Sequence, residues 1–189
     1  RDQALAVSGL LSPKMYGPGV MPPQPEGIWQ SVYSNEKWTE SEGEDKNRRA
    51  VYTYLKRTSP YPSFITFDAG SREVCTIRRT VTNTPLQALV TLNDPVYMEA
   101  AYHLAKTMEG LDVEIGISKG YEKATYSKIN QEKLEALKDL YDKSLIEFKS
   151  EENNGQNYLG IDEKSSAELA ALTVVANALM NLDEFLSKA

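Results

Sequence analysis

One segment of twelve residues, TPLQALVTLNDP at positions 84–95, restricts the fold more than any other part of the chain. Thr84 and Asp94 each precede a proline, which is typical of a helix start because the first helical N–H has no intrahelical partner to lose. Gln87 stands three residues after Thr84 and completes a capping box. Asn93 is expected to end the first helix in the left-handed conformation that asparagine tolerates. The pattern predicts two helices, each beginning at a proline, that meet at a corner.

The second half of the chain is predicted to be helical. Residues 95–108 form the second helix of the corner, and apolar residues recur at helical spacing across 128–149. A long C-terminal helix is predicted over 165–188, with Ser165 and Glu168 as its capping box. We expect the N- and C-terminal helices to pack against the corner.

The remaining segments are predicted to be less regular, apart from a helix within residues 1–11. Residues 12–27 hold five prolines and three glycines, so they predict a loop with extended pieces that packs on the domain. Residues 48–57 fit either a strand or a helix. The segments 110–130 and 150–164 are predicted to be variable loops. The predicted fold class is a mainly α, compact helical domain with a small irregular or β element in the N-terminal half.

Composition restricts the class of protein. The 189 residues are 41% hydrophobic and 25% charged, as expected for one globular domain spanning 1–189. The net charge of -6 argues against a nucleic-acid partner, and no apolar run is long enough to span a bilayer. Cys75 and His103 are the single cysteine and histidine. An internal disulfide, a covalently attached haem and a zinc site of His and Cys ligands are therefore excluded, and no metal ligands are predicted.

Arginine is concentrated in one region, because six of the seven arginines lie between positions 48 and 79. The planar guanidinium group pairs bidentately with carboxylate, phosphate or sulfate, so the region suggests a site for an anion such as an acidic or sulfated glycan. Two alternatives remain open: pairing with carboxylates of the acidic second half, and docking to a neighbouring domain. The candidate ligand-binding residues are Arg48, Arg49, Arg57, Arg72, Arg78, Arg79 and Asn83.

Two constellations with catalytic chemistry have simpler interpretations. Asp68, Glu73 and Asp94 could supply the paired carboxylates of a glycosidase, but Asp94 is explained as a cap and the other two as partners of the arginines. Cys75 and His103 could form a nucleophile and base, but a lone helical histidine is normally structural. No catalytic residue is predicted.

Aromatic residues are concentrated in positions 29–61. Their faces could stack on sugar rings, or they could form part of the core, as we favour for a domain of this size. The residues are Trp29, Tyr33, Trp38, Tyr52, Tyr54 and Tyr61.

Four segments together resemble a known family: IRRTVTNTPLQALVTLNDP, FDAGSREVCT, RDQALAVSGLLSPKMYGPGV and NALMNLDEFL. They are similar to the domain of unknown function 1553 family, the C-terminal domain of planctomycete-type proteins that also carry a cytochrome-c-like domain. The resemblance implies that the chain is a C-terminal piece of a larger protein. It also implies an exported, periplasmic or cell-surface location, with haem only on a separate module and no cofactor in this chain.

The expected function is that of a non-catalytic interaction module. It would dock other domains of the parent protein, or an anionic polymer, through the arginine-rich region. The alternative is part of an enzyme acting on polysaccharide, with catalytic or haem groups on modules absent from this chain.

Overall fold

The fold is built from helices. The structure is a computed structural model that describes residues 1–25, 37–70, 74–75, 77–78, 82–150 and 166–186. Over these residues the helices are α1 (Asp2–Ser8), α2 (Pro62–Thr66), α3 (Pro85–Asn93), α4 (Pro95–Met108), α5 (Val113–Thr125), α6 (Gln131–Ser150), α7 (Ala167–Met180) and α8 (Asp183–Leu186). The predicted mainly α class is confirmed.

The predicted corner is present between α3 and α4. The Thr84 hydroxyl accepts from the Gln87 N–H at 3.4 Å, and the Gln87 side chain accepts from the Thr84 N–H at 3.3 Å, which completes the capping box. Asp94 accepts from the Val96 N–H at 2.9 Å and caps α4. The prediction for Asn93 is wrong, because Asn93 stays in α3 and its amide donates to the Leu89 carbonyl. Asp94, with a φ of -69°, both ends α3 and starts α4, so no left-handed residue is needed.

Helices α4 and α7 lie at the centre of the core. Each packs against α3 and α5, while α1 packs on α4 and α6 packs on α7. Both carry runs of alanine, which let two helix backbones approach closely, and α7 is apolar on nearly every side because it is surrounded. The prediction that the terminal helices pack against the corner is confirmed for α1 and α7.

The C-terminal segment differs from its prediction at both ends. Ser166, not Ser165, caps α7, since its hydroxyl accepts from the Leu169 N–H at 3.1 Å. The helix ends at Met180, and the side chain of Asn181 accepts a 2.8 Å hydrogen bond from the Thr91 hydroxyl of α3. A separate short helix, α8, follows this interruption.

The predicted loop at 110–130 is wrong, because α5 occupies most of it. Its glycines mark close packing instead of a turn: a Cβ on Gly120 would lie 2.8 Å from the Met108 sulfur, and one on Gly116 would lie 3.1 Å from the Met108 carbonyl oxygen. The predicted loop at 150–164 begins at Ser150, the last residue of α6. Residues 151–164 lie outside the described part of the chain.

Residues 48–57 form neither a strand nor an α-helix. They contain the 3-10 turn Ala50–Tyr52 and two isolated parallel bridges, Ser12 to Arg48 and Val20 to Thr53. The described residues contain no β-strand, so the small β element of the prediction is not observed. The extended partner in both bridges belongs to the proline-rich segment.

Candidate functional site

The N-terminal end of α3 is held by hydrogen bonds within the chain. Thr82 donates from its N–H and its hydroxyl to the Asp68 carboxylate at 2.8 and 2.7 Å. These hydrogen bonds lower the pKa of Asp68 below its ordinary value. The Asn83 amide donates to the Asp183 carboxylate at 2.6 Å. The residues before α3 therefore already bind two anionic groups, and both belong to the chain itself.

Gln87 connects the same region to α2. Its amide donates to the Thr66 carbonyl at 3.0 Å and to the Thr82 hydroxyl at 3.2 Å, in addition to its role in the capping box. Gln87 is buried, so these bonds lie in a partly dry environment. Four of the predicted polar residues thus have structural partners, namely Asn83, Thr84, Gln87 and Asp94.

The described arginines of the predicted site differ in exposure. Arg49, Arg57 and Arg78 are exposed, whereas Arg48 is 1% exposed. Arg72 and Arg79 lie outside the described residues. Because Arg48 is almost completely buried, its guanidinium group contacts the chain itself, and binding of an external anion by Arg48 stays a prediction.

Arg48 holds the proline-rich segment. Its guanidinium group donates to the Tyr16 carbonyl and, at 3.3 Å, to the Pro18 carbonyl. The Tyr52 ring lies 3.9 Å below it, and the nearest Asp45 oxygen is 4.0 Å away. Two backbone carbonyls, an aromatic face and one distant carboxylate thus compensate a buried charge.

Two members of the aromatic cluster, Trp38 and Tyr61, pack against the proline-rich segment and against each other. Trp38 donates from its indole N–H to the Pro22 carbonyl at 2.9 Å, and Tyr61 donates from its hydroxyl to the Pro23 carbonyl at 2.8 Å. The two rings stack with centroids 5.9 Å apart. Burial raises the pKa of Tyr61 to about 12. The core interpretation is supported for Tyr61, which is 1% exposed, and the half-buried Trp38 packs on its ring, while Trp29 and Tyr33 lie outside the described residues.

An exposed apolar face runs along α3. Leu86, Leu89 and Leu92 are 57%, 57% and 43% exposed and lie three residues apart, on one side of the helix. The helix PLQALVTLN contains no charged residue. Ile65 of α2 is also exposed, and it immediately precedes the Thr66 carbonyl that Gln87 contacts. These four residues are called the leucine face below.

The possible catalytic pairs have separate local environments. Cys75 is exposed, whereas His103 lies on α4 against the Tyr102 ring, and burial lowers the pKa of His103 while Glu99 opposes the shift. Asp68 is engaged by Thr82, and Asp94 is buried as a cap. Glu73 lies outside the described residues.

The rest of the described surface offers few further candidates for a site. The described residues contain no group of three or more His, Cys, Asp or Glu side chains arranged to hold a metal ion. Within them, no helix combines the length and apolar character needed to cross a membrane. A shallow groove of about 320 Å³ lies between α5 and α6, lined by Glu114, Ile115, Ser118, Lys119, Glu122 and Leu134.

Sequence reasoning did not identify the leucine face or the role of Arg48. The first had a visible signal, since a nine-residue helix that is apolar on several sides and carries no charge is unusual for a surface position. The role of Arg48 had no signal in the sequence, because burial of one arginine among several depends on where the proline-rich segment crosses it.

The described residues define a mainly α domain in which a buried arginine holds a proline-rich segment and a surface helix exposes leucines. The chain belongs to the family described as PSD1, protein of unknown function (DUF1553), whose model matches residues 1–141. No curated protein and no solved structure matches the chain.

Proposed function

We propose that this domain is a non-catalytic interaction module that docks a neighbouring protein module through the leucine face. The observation that carries the proposal is the exposure of Leu86, Leu89 and Leu92 on one side of an uncharged helix. Exposed apolar patches of this kind commonly mark protein–protein contact sites. Other domains of the same polypeptide are the partners that the family resemblance suggests.

The leucine face is rigidly presented, which favours docking. Helix α3 is fixed at its start by the capping box, at its end by Asp94, and along its inner side by Thr91, whose hydroxyl donates to Asn181. A surface held in this way loses little conformational entropy when a partner binds.

Binding between this domain and the separately expressed preceding modules of its parent polypeptide tests the proposal. We expect isothermal titration calorimetry to detect binding. The double variant Leu86→Asn, Leu89→Asn should weaken the affinity roughly tenfold or more, because binding then no longer removes two apolar side chains from water. Ile146→Asn is the matched control, since Ile146 is 70% exposed on the outer side of α6. Equal binding by the double variant and the wild type, or no binding by any module, would reject the proposal.

The arginine-rich region retains a second hypothesis. Arg49, Arg57 and Arg78 are exposed, so their guanidinium groups are accessible to an anionic glycan. Two nearby carboxylates, Asp68 and Asp183, already occupy the end of α3 and oppose an anion there. Salt-sensitive binding of a sulfated oligosaccharide that Arg78→Ala weakens would support this hypothesis over docking through leucines.

A further inference from the structure

A second surface of the domain has the features of a peptide-binding site that is already filled. Residues 12–25, SPKMYGPGVMPPQP, form an extended segment that we call the strap. It lies against four side chains that we call the cradle: Trp38, Arg48, Tyr52 and Tyr61. Residues 13–19 of the strap are exposed, whereas Val20 and Pro22 are buried, so the strap lies on the surface with one side inward.

The cradle recognises the backbone of the strap. Arg48 donates to the carbonyls of Tyr16 and Pro18, Trp38 to that of Pro22, and Tyr61 to that of Pro23. The Tyr52 hydroxyl accepts a 2.9 Å hydrogen bond from the Tyr16 N–H. Donors that point at main-chain carbonyls select an extended conformation more than a particular side-chain sequence.

Backbone hydrogen bonds also join the strap to the segment that carries Arg48 and Tyr52. The Val20 N–H donates to the Tyr52 carbonyl at 2.8 Å, and the Tyr54 N–H donates to the Val20 carbonyl at 2.8 Å. The Ser12 N–H donates to the Asn47 carbonyl at 3.0 Å. Addition of an extended peptide along another segment's backbone is a recurrent mode of peptide recognition.

The chemistry of the inner end of the strap resembles polyproline recognition. Proline fixes φ and biases the residue before it towards an extended conformation, so Pro22 and Pro23 pre-form the strap. Tryptophan and tyrosine present flat apolar faces together with one donor each, as in the grooves that bind proline-rich segments. Trp38 and Tyr61 use the donors here, since each donates to a proline carbonyl, and the two rings stack on each other beside the strap.

We propose that the cradle is a binding site for extended proline-rich peptides, which this chain occupies with its own strap. The partner that fits is a proline-rich segment of another protein chain. It must compete with a tethered strap, whose effective concentration is high, so binding requires a transient opening of the strap. This proposal does not depend on the leucine face.

Hydrogen exchange of the wild-type chain tests the opening. The amides of Val20 and Tyr54 join the strap to the cradle, whereas those of Leu104 in α4 and Val175 in α7 report the core. We expect the strap amides to be at least tenfold less protected than the core amides, because the strap opens without unfolding the helices. Equal protection of both sets would overturn the proposal.

Peptide binding tests the site itself. A fluorescent peptide of residues 12–25 is titrated, by anisotropy, into the full chain carrying Pro22→Gly and Pro23→Gly. We expect the peptide to bind this double variant saturably and more tightly than it binds the wild type. Adding Trp38→Phe to the double variant removes one hydrogen bond from the cradle and should weaken binding by about 2- to 10-fold. A control peptide with glycine at both proline positions should bind less.

Two outcomes of the titration decide against the proposal. One is no saturable binding by a double variant that keeps its helical circular dichroism and cooperative unfolding. The other is equal binding of the proline and glycine peptides, which would indicate non-specific adhesion. Should the double variant fail to fold, the hydrogen-exchange comparison decides alone.

Discussion

At the scale of single residues, Arg48 shows how context changes the role of a charged side chain. Arg48 and Arg49 are neighbours in sequence and chemically identical, yet the first is 1% exposed and the second is exposed. Arg48 stabilises the strap through two carbonyls and the Tyr52 ring. Its planar fork can reach both carbonyls at once, which a lysine ammonium group cannot reproduce.

Replacing these two arginines by lysine should therefore have unequal effects. We expect Arg48→Lys to reduce the free energy of unfolding by about 1–3 kcal/mol, because a lysine cannot contact both carbonyls at once and its buried charge is poorly compensated. Arg49→Lys, the matched control, should change it by less than about 0.5 kcal/mol. Urea unfolding measures both. Similar small effects at the two positions would contradict the structural role of Arg48.

Asp94 gives a residue-scale prediction that depends on pH. Burial raises the pKa of Asp94 above its ordinary value of 3.8, and the Val96 N–H opposes the shift. The folded protein therefore binds a proton at this carboxyl more readily than the unfolded chain does. Its contribution to stability is highest below about pH 3.8 and declines as the pH rises through the folded-state pKa.

Asp94→Asn should keep the cap and remove the titration. We expect the unfolding free energy of the variant, minus that of the wild type, to increase as the pH is raised from about 3 to about 7. Asp94→Ala serves as the control, since it loses the cap at every pH and should be destabilised by about 1 kcal/mol at low pH. Urea unfolding at a series of pH values gives these differences. A difference for Asp94→Asn that falls with pH would refute the assignment.

At the scale of secondary-structure elements, caps were predictable and helix ends set by packing were not. Thr84, Gln87 and Asp94 act within a few residues of their own backbone, so their roles follow from local sequence. Helix α5 was missed because Gly116 and Gly120 look like turn residues. Their actual cause is tertiary packing: the end of α4 lies too close to both glycines for a side chain, and at Gly120 Leu179 of α7 is also close.

Substitution of Gly120 tests this explanation at the level of the helix. Alanine favours helix formation by about 1 kcal/mol over glycine, but its Cβ would lie 2.8 Å from the Met108 sulfur and 3.3 Å from Leu179. We expect Gly120→Ala to destabilise the domain by roughly 1–2 kcal/mol, measured by urea unfolding. Combined with Met108→Ala, which makes space, the loss should be smaller than the sum of the single losses. Strict additivity would show that the two sites do not touch.

At the scale of the whole molecule, α4 and α7 organise the domain. Almost every other helix of the described residues packs against one of them, and most of their alanines are buried. A larger side chain in α7 therefore disturbs the packing of several helices at once. The same substitution on the solvent-facing side of an outer helix leaves the packing between helices unchanged.

Ala176→Leu and Ala136→Leu form a matched pair for this point. Ala176 in α7 is fully buried and Ala136 in α6 is exposed. We expect Ala176→Leu to lower the free energy of unfolding by about 1–3 kcal/mol through overpacking, and Ala136→Leu to change it by less than about 0.5 kcal/mol. Thermal unfolding followed by circular dichroism measures both. Tolerance of leucine at position 176 would indicate a loosely packed core.

The sequence by itself determined the helical class, the α3–α4 corner and its caps, because these depend on contacts between residues only a few positions apart. Only the tertiary structure decided which polar and apolar residues are available to a partner. Arg48 is buried because the strap crosses it, and Leu86 and Leu89 are exposed because the described core fills without them. Exposure is set by segments that meet from distant parts of the chain, so a local pattern such as the uncharged α3 can draw attention to a helix but does not decide which of its side chains stay exposed.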